Sequence, residues 1–112
     1  MTRSTLELLT AADLSMLRGM LLEQRDFRLE QLAELRRRQS SAAMSTAVAE
    51  VSRSLIDGAQ AALRDVHEAL ERMADGNFGA CVGCGGRLER ERLEILPHVA
   101  RCMPCQQAVA AR

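Results

Sequence analysis

Apolar residues between Leu14 and Met73 recur every three or four positions, in two stretches separated by a short polar segment. This spacing places them on one face of an α-helix, so it predicts helices from about Ala11 to about Arg38 and from about Ala47 to Asp75. The first stretch contains Leu14, Leu17, Leu21, Leu22, Leu29, Leu32 and Leu35, and the second forms a heptad seam of Ile56, Ala59, Leu63, Val66, Leu70 and Met73.

The predicted helix ends carry their own signals. Thr10 is suited to the N-cap of the first helix, and Asp13 would complement the helix dipole in its first turn. Hydroxyl side chains gather between residues 39 and 46, where they favour turns, so we place the tip of a hairpin at about residues 38–46. Gly76 is suited to a left-handed position that ends the second helix. The short link predicts two antiparallel helices forming an arm on the order of 40 Å long.

The chain is expected to be mainly α: a long antiparallel helical hairpin, then a small C-terminal module that contains all four cysteines and a short C-terminal helix. We divide its 112 residues into an N-terminal segment with the hairpin, 1–76, and this C-terminal module, 77–112. The composition agrees, because the apolar residues are mostly aliphatic and Phe27 and Phe78 are the only aromatic ones.

All four cysteines lie in the last third of the chain. Seventeen residues separate the pair Cys81 and Cys84 from the pair Cys102 and Cys105, which is typical of a four-cysteine zinc site. Four sulfur ligands leave no position for water or substrate, so we expect one structural Zn²⁺ per chain. Residues 77–112 are therefore predicted to be a four-cysteine zinc-finger module with a short C-terminal helix. A disulfide or redox pair and an iron–sulfur cluster are the alternatives.

Three side chains near the cysteines could support the site without binding the metal: Arg92, Arg101 and His98. Arginines would offset the formal charge of about −2 that four thiolates leave around Zn²⁺. His98 precedes Cys102 by four residues, but four cysteines already complete the ligand set.

Net charge, the lack of a catalytic residue set and the lack of targeting segments exclude several classes of function. The 15 basic and 15 acidic residues cancel, so no sequence-specific DNA binding is expected. The sequence contains no arguable catalytic set, so we do not expect an enzyme. We expect no signal peptide and no membrane-spanning segment, and hence a cytoplasmic protein whose thiols stay reduced.

The C-terminal motifs resemble those of the DksA/TraR zinc-finger family, in detail from about Ala62 to Ala108. The matching residues are Gly76-Asn77-Phe78-Gly79-x-Cys81-x-x-Cys84-Gly85, Leu88, Arg92-Leu93, Pro97, Cys102-x-x-Cys105 and Gln106. The resemblance implies a transcriptional regulator that binds bacterial RNA polymerase, with its coiled-coil tip inserted through the secondary channel and the zinc module as a base. Some family members act together with the alarmone ppGpp.

The tip departs from the family pattern. The family's acidic tip residues match Arg38 and Ser41, and its usual tip alanine matches Ala43, while the approach to the tip is Arg36-Arg37-Arg38. No Asp or Glu occurs between Glu34 and Glu50. Any contact by this tip must therefore use other chemistry, such as arginines binding acidic residues or phosphates.

The positions that match the family's alarmone contacts also differ. They are Asp65, Leu96 and Gln106, and only Arg92 is kept. We therefore predict weak or absent ppGpp dependence.

Two other functions stay open at this point. The chain could be an adaptor that binds another protein through its arm. Alternatively, against its zero net charge, it could bind nucleic acid through Arg36, Arg37, Arg38 and the arginines of the zinc finger. Heptad seams also pair between chains, so the protein could be a monomer or a dimer through the arm.

Overall fold

The computed structural model describes residues 9–41, apart from the side chain of Ser41, and residues 45–111. The described residues form four helices: α1 (Ala11–Ser41), α2 (Thr46–Ala74), α3 (Arg90–Ile95) and α4 (Met103–Ala110). The predicted hairpin, zinc-finger segment and C-terminal helix are confirmed. The predicted end of α1 is three residues short, and the sequence analysis did not predict α3.

Both long helices begin with side-chain caps. The Thr10 amide donates to Oδ2 of Asp13 at 2.9 Å, and the Asp13 amide donates to Oγ1 of Thr10 at 3.0 Å. This reciprocal pair satisfies amides that the first turn leaves without partners. At the start of α2, the hydroxyl of Ser45 accepts a bond from the Val48 amide at 3.3 Å.

The second helix ends at a left-handed glycine, as the sequence predicts. Gly76 has a φ of +81°, and its amide donates to the carbonyl of Met73 at 3.2 Å. The Asn77 amide donates to the carbonyl of Arg72 at 3.0 Å, which completes a Schellman motif. The chain therefore turns sharply into the zinc module.

Two core clusters follow one another along the hairpin. In the distal half of the arm, Leu32, Ile56 and Ala59 are buried, with Leu35 and Leu63 packed against them. The proximal cluster contains residues of both the hairpin and the zinc module: Leu17, Leu21, Val66, Ala69, Phe78, Cys81, Leu88 and Leu93. Because these side chains share one core, the zinc module is packed directly against the base of the arm.

Two polar contacts reinforce this junction. Arg90, at the start of α3, forms an ion pair with Asp13 of α1. An Arg72 guanidinium nitrogen lies 3.5 Å from the carbonyl oxygens of both His98 and Val99. Burial lowers the pKa of Arg72, an effect that nearby Glu68 and Asp65 oppose.

The hairpin gives the molecule an elongated shape, with extents of 60 × 34 × 21 Å. None of the helices within residues 9–41 and 45–111 has the length and apolar character that a membrane crossing requires.

Candidate metal centre

The four cysteine sulfurs converge on one point. All four Sγ atoms lie within 4.8 Å of one another. Sγ of Cys84 is 3.8 Å from Sγ of Cys102, and tetrahedral ligands at about 2.3 Å from Zn²⁺ would themselves be about 3.8 Å apart. The cluster therefore has the dimensions of a tetrahedral four-sulfur zinc site.

The first ligand pair lies in a tight loop. The Cys81 amide donates to the carbonyl of Gly86 at 2.7 Å, and the Gly85 amide donates to the carbonyl of Cys81 at 2.8 Å. Gly85 has a φ of +80°, which favours glycine. Two amides point at the sulfurs: that of Gly83 at Sγ of Cys81, 3.3 Å away, and that of Gly86 at Sγ of Cys84, 3.5 Å away.

Gly83 lies close to the second ligand pair. A Cβ atom at this position would lie 3.0 Å from Sγ of Cys105 and 3.2 Å from its Cβ. A larger residue would push against Cys105 and require its side chain to shift, so glycine is the residue that best lets the loop close around the metal.

The second ligand pair lies at the start of α4. Cys102 is the N-cap residue and Cys105 is in the first turn. The Cys102 amide donates to Sγ of Cys81 at 3.3 Å, and the Val82 amide donates to the carbonyl of Ala100 at 2.9 Å. These bonds hold the two halves of the site together from opposite sides.

The electrostatics of the sulfur cluster suit a cation. Hydrogen bonds from backbone amides, chiefly that of Cys102, lower the pKa of the Cys81 thiol to about 6. The neighbouring sulfurs, chiefly that of Cys102, raise the pKa of the Cys105 thiol to about 12. Four adjacent thiolates repel one another, so a divalent cation is needed to hold all four deprotonated. The donor set fits Zn²⁺.

Of the three predicted supporting residues, Arg92 and Arg101 are joined by a hydrogen bond, and the supporting role of all three stays a prediction. The Arg92 guanidinium donates to the carbonyl of Arg101. Nδ1 of His98 is buried and has no hydrogen-bond partner in the described part of the chain.

The predicted tip residues do not all face one way. Arg37 and Arg38 both donate to Glu34 of the preceding turn, the latter at 2.9 Å, and these bonds hold the pKa of Glu34 below its usual value. Arg36 instead lines a groove between α1 and α2. Ser41 is the last residue of α1, and Ala43 lies outside the described residues.

Sequence analysis missed Glu34 as a partner of the basic run. The signal was present, because Arg37 and Arg38 follow Glu34 by three and four residues and such positions are neighbours on a helix.

The residues that match the alarmone contacts lie between α2 and the zinc module. Asp65, Arg92 and Gln106 line one cleft of about 230 Å³, together with His98, Val99, Ala100 and Arg101. Leu96 lines an adjoining cleft of about 510 Å³, which shares Asp65 and His98 with the first. The fold thus brings all four positions to one region.

Comparisons with known proteins agree with this architecture. Residues 76–109 match the family model of the prokaryotic dksA/traR C4-type zinc finger. A comparison with curated protein sequences found no match. Among solved structures, the chain is similar to the transcription factor DksA2 from Pseudomonas aeruginosa. The TM-score is 0.75 and the identity 23%, over 93% of this chain and 88% of that one. Residues 76–109 are thus similar to the prokaryotic dksA/traR C4-type zinc finger, and the chain has the fold of DksA2 over 93% of its length.

Proposed function

We propose that this protein is a non-enzymatic, cytoplasmic regulator of transcription that binds bacterial RNA polymerase through its helical arm. The observation that carries the proposal is the arm itself, whose helix α1 contains 31 residues and is about 46 Å long. A core shared with the zinc module fixes its base. A rigid arm on a metal-stabilised base suits insertion into a channel of a larger enzyme.

Similarity to known proteins supports a role in transcription. The similar structure, DksA2, is described as a transcription factor, and residues 76–109 are similar to the dksA/traR zinc finger. The resemblance in sequence implies polymerase and its secondary channel as the binding site.

The polymerase contact at the end of the arm is proposed to be basic. Arg36, Arg37 and Arg38 are exposed, and arginine binds carboxylates and phosphates through paired hydrogen bonds. Ser41 and Ala43 complete the proposed contact region. Because Glu34 pairs with two of these arginines, the tip presents a smaller net positive charge than the sequence alone suggests.

The test is a direct binding measurement with purified bacterial RNA polymerase and the zinc-loaded, full-length protein. We expect the wild type to bind, and the triple variant Arg36→Ala, Arg37→Ala and Arg38→Ala to bind at least about tenfold more weakly. Arg87→Ala, an exposed arginine of the zinc module, is the matched control and should bind like the wild type. Absence of binding by the wild type would reject the polymerase proposal and favour an adaptor for another protein.

We further propose that ppGpp has little or no effect on this regulator. Asp65 lines the cleft that contains Arg92 and Gln106, and a carboxylate there would repel a polyphosphate. Leu96 has no side-chain donor for it. Saturable ppGpp binding by the protein–polymerase complex, lost on Arg92→Ala, would contradict this part of the proposal.

A further inference from the structure

One side of the arm carries a groove between α1 and α2 that shares only Arg36 with the proposed tip contact. Its distal stretch, of about 390 Å³, is lined by Leu29, Leu32, Arg36, Gln60, Leu63, Arg64 and His67. Its proximal stretch, of about 340 Å³, is lined by Arg18, Leu22, Arg25, Leu70, Met73 and Ala74. We refer to these residues together as the lateral groove.

The lateral groove is a single surface because of the spacing along α1. Arg18, Leu22, Arg25, Leu29 and Arg36 follow one another at helical intervals of three, four or seven residues, so they form one stripe along the helix. The stripe alternates arginine and leucine, and Arg18 and Arg36 are about 27 Å apart along the helix axis.

Charge is separated between the two sides of the arm. Four arginines and His67 line the lateral groove, and no carboxylate is among its lining residues. The cleft on the opposite side of the hairpin is lined by two carboxylates, Glu23 and Asp65, and by one arginine, Arg28. The chain as a whole has no net charge, so this local excess is a property of the fold and not of the composition.

The floor of the lateral groove is apolar and incompletely covered. Leu32 is buried in the hairpin core, whereas Leu29, three residues earlier, is 47% exposed. Leu22, Leu63, Leu70 and Met73 are half-buried along the same surface. Leucines interspersed with the arginines of α1, and facing Arg64 of α2, provide contacts for a ligand that is itself both apolar and acidic.

We propose that the lateral groove binds an acidic amphipathic helix of a partner protein. A helix of about 18 residues would match the length from Arg18 to Arg36. Its apolar side chains would pack on Leu22, Leu29 and Leu63, as a third helix packs into the groove between two others, and its carboxylates would pair with the flanking arginines. Nucleic acid is the poorer occupant, because leucines form the floor and the lining residues include no Phe, Tyr or Trp as a platform for stacked bases.

This inference goes beyond the polymerase proposal and does not depend on it. Arg37 and Arg38 of the proposed tip contact pair with Glu34 and do not line the lateral groove. Variants of Arg18 and Arg64 therefore probe the groove and leave the three arginines of the tip in place.

The test uses a fluorescently labelled synthetic peptide of about 18 residues, with leucines at helical spacing and glutamates on both flanks. Two control peptides contain lysine in place of glutamate or a scrambled order of the same residues. Anisotropy is measured with the full-length, zinc-loaded protein. We expect the glutamate peptide to bind, and to bind more weakly as salt is raised.

Charge reversal provides the sharpest readout. The double variant Arg18→Glu and Arg64→Glu should lose at least about tenfold in affinity for the glutamate peptide and gain affinity for the lysine peptide. Leu29→Ala should weaken binding of the glutamate peptide with little change in its salt dependence. Arg28→Glu is the matched control, because Arg28 is on the same helix but lines the opposite cleft, and it should bind like the wild type.

Three results would overturn the inference. They are equal binding of the glutamate peptide by the wild type and the double variant, equal binding of the glutamate and scrambled peptides, and wild-type binding of a single-stranded oligonucleotide but not of the glutamate peptide. Arg18 and Arg64 are exposed, so circular dichroism and zinc content should confirm that the variants are folded.

Discussion

Asp13 and Arg90 are 77 positions apart in the sequence, and in the fold they form an ion pair between the first turn of α1 and the first residue of α3. Asp13 also accepts the Thr10 amide and so caps α1 at the same time. One carboxylate therefore joins the start of the arm to the zinc module.

Asp13→Asn should lower the thermal stability of the protein at neutral pH. The Thr10 amide, first, and the Arg90 guanidinium hold the pKa of Asp13 below its ordinary value. A lowered pKa means that the contribution is fully present above about pH 4, the unfolded-state pKa, and is lost as the pH falls through the folded-state pKa.

Thermal unfolding of the wild type and Asp13→Asn across this pH range measures the effect. Their difference should shrink as Asp13 becomes protonated. Asp26→Asn, which removes a carboxylate that pairs only with the adjacent Arg25, is the control. A difference between wild type and Asp13→Asn that stays constant down to the lowest pH would contradict the assignment.

Removing zinc should unfold the C-terminal module and leave much of the arm helical. The module between Phe78 and Ala111 has few buried side chains of its own, and structural zinc typically supplies on the order of 10 kcal/mol of folding free energy. We expect a chelator, or Cys84→Ser, to increase amide hydrogen exchange at Leu88 and Leu93 far more than at Leu32 and Ile56. Equal protection with and without metal would mean that zinc is dispensable for the fold.

Zinc binding should release protons and weaken as the pH falls. Near neutral pH the Cys105 thiol is protonated in the metal-free cluster, with a pKa raised to about 12, whereas Cys81, with a pKa lowered to about 6, is already mostly a thiolate. Because Cys81 has almost no proton to lose and Cys105 must lose one, the number of protons released should lie between about one and three. Calorimetry in buffers of different ionisation enthalpy measures it, and a value of zero would exclude a cysteine-ligated metal.

Gly83→Ala should weaken zinc binding, because the added Cβ would lie 3.0 Å from Sγ of Cys105. The matched control is Gly58→Ala, on α2, where no atom lies within 4 Å of the added Cβ. That change should leave zinc affinity intact and stabilise the helix by about 0.5–1 kcal/mol. Competition with a chromogenic chelator and thermal unfolding measure the two effects, and equal zinc affinities for both variants would show that the loop adapts to a larger residue.

The sequence predicted those features that depend on neighbouring residues. Helical spacing located both helices of the arm. Thr10 and Gly76 marked helix ends, and two Cys-x-x-Cys pairs identified the metal ligands. Such signals are local because a helix is built from contacts three and four residues apart, and a ligand pair from a single loop. The division at residues 76 and 77 was drawn in the same way and stays a prediction.

The rest required the tertiary structure. Helix α3 has only six residues, too few for a repeating apolar pattern to predict a helix. The Asp13–Arg90 ion pair joins residues that are distant in the sequence, so no local pattern indicates that they lie close together. The pairing of Arg37 and Arg38 with Glu34 follows from helical spacing alone, whereas the place of Arg36 in the lateral groove depends on the tertiary structure. Successive residues of a helix point about 100° apart, and only the packing of α1 against α2 decides which of them line the groove between the two helices.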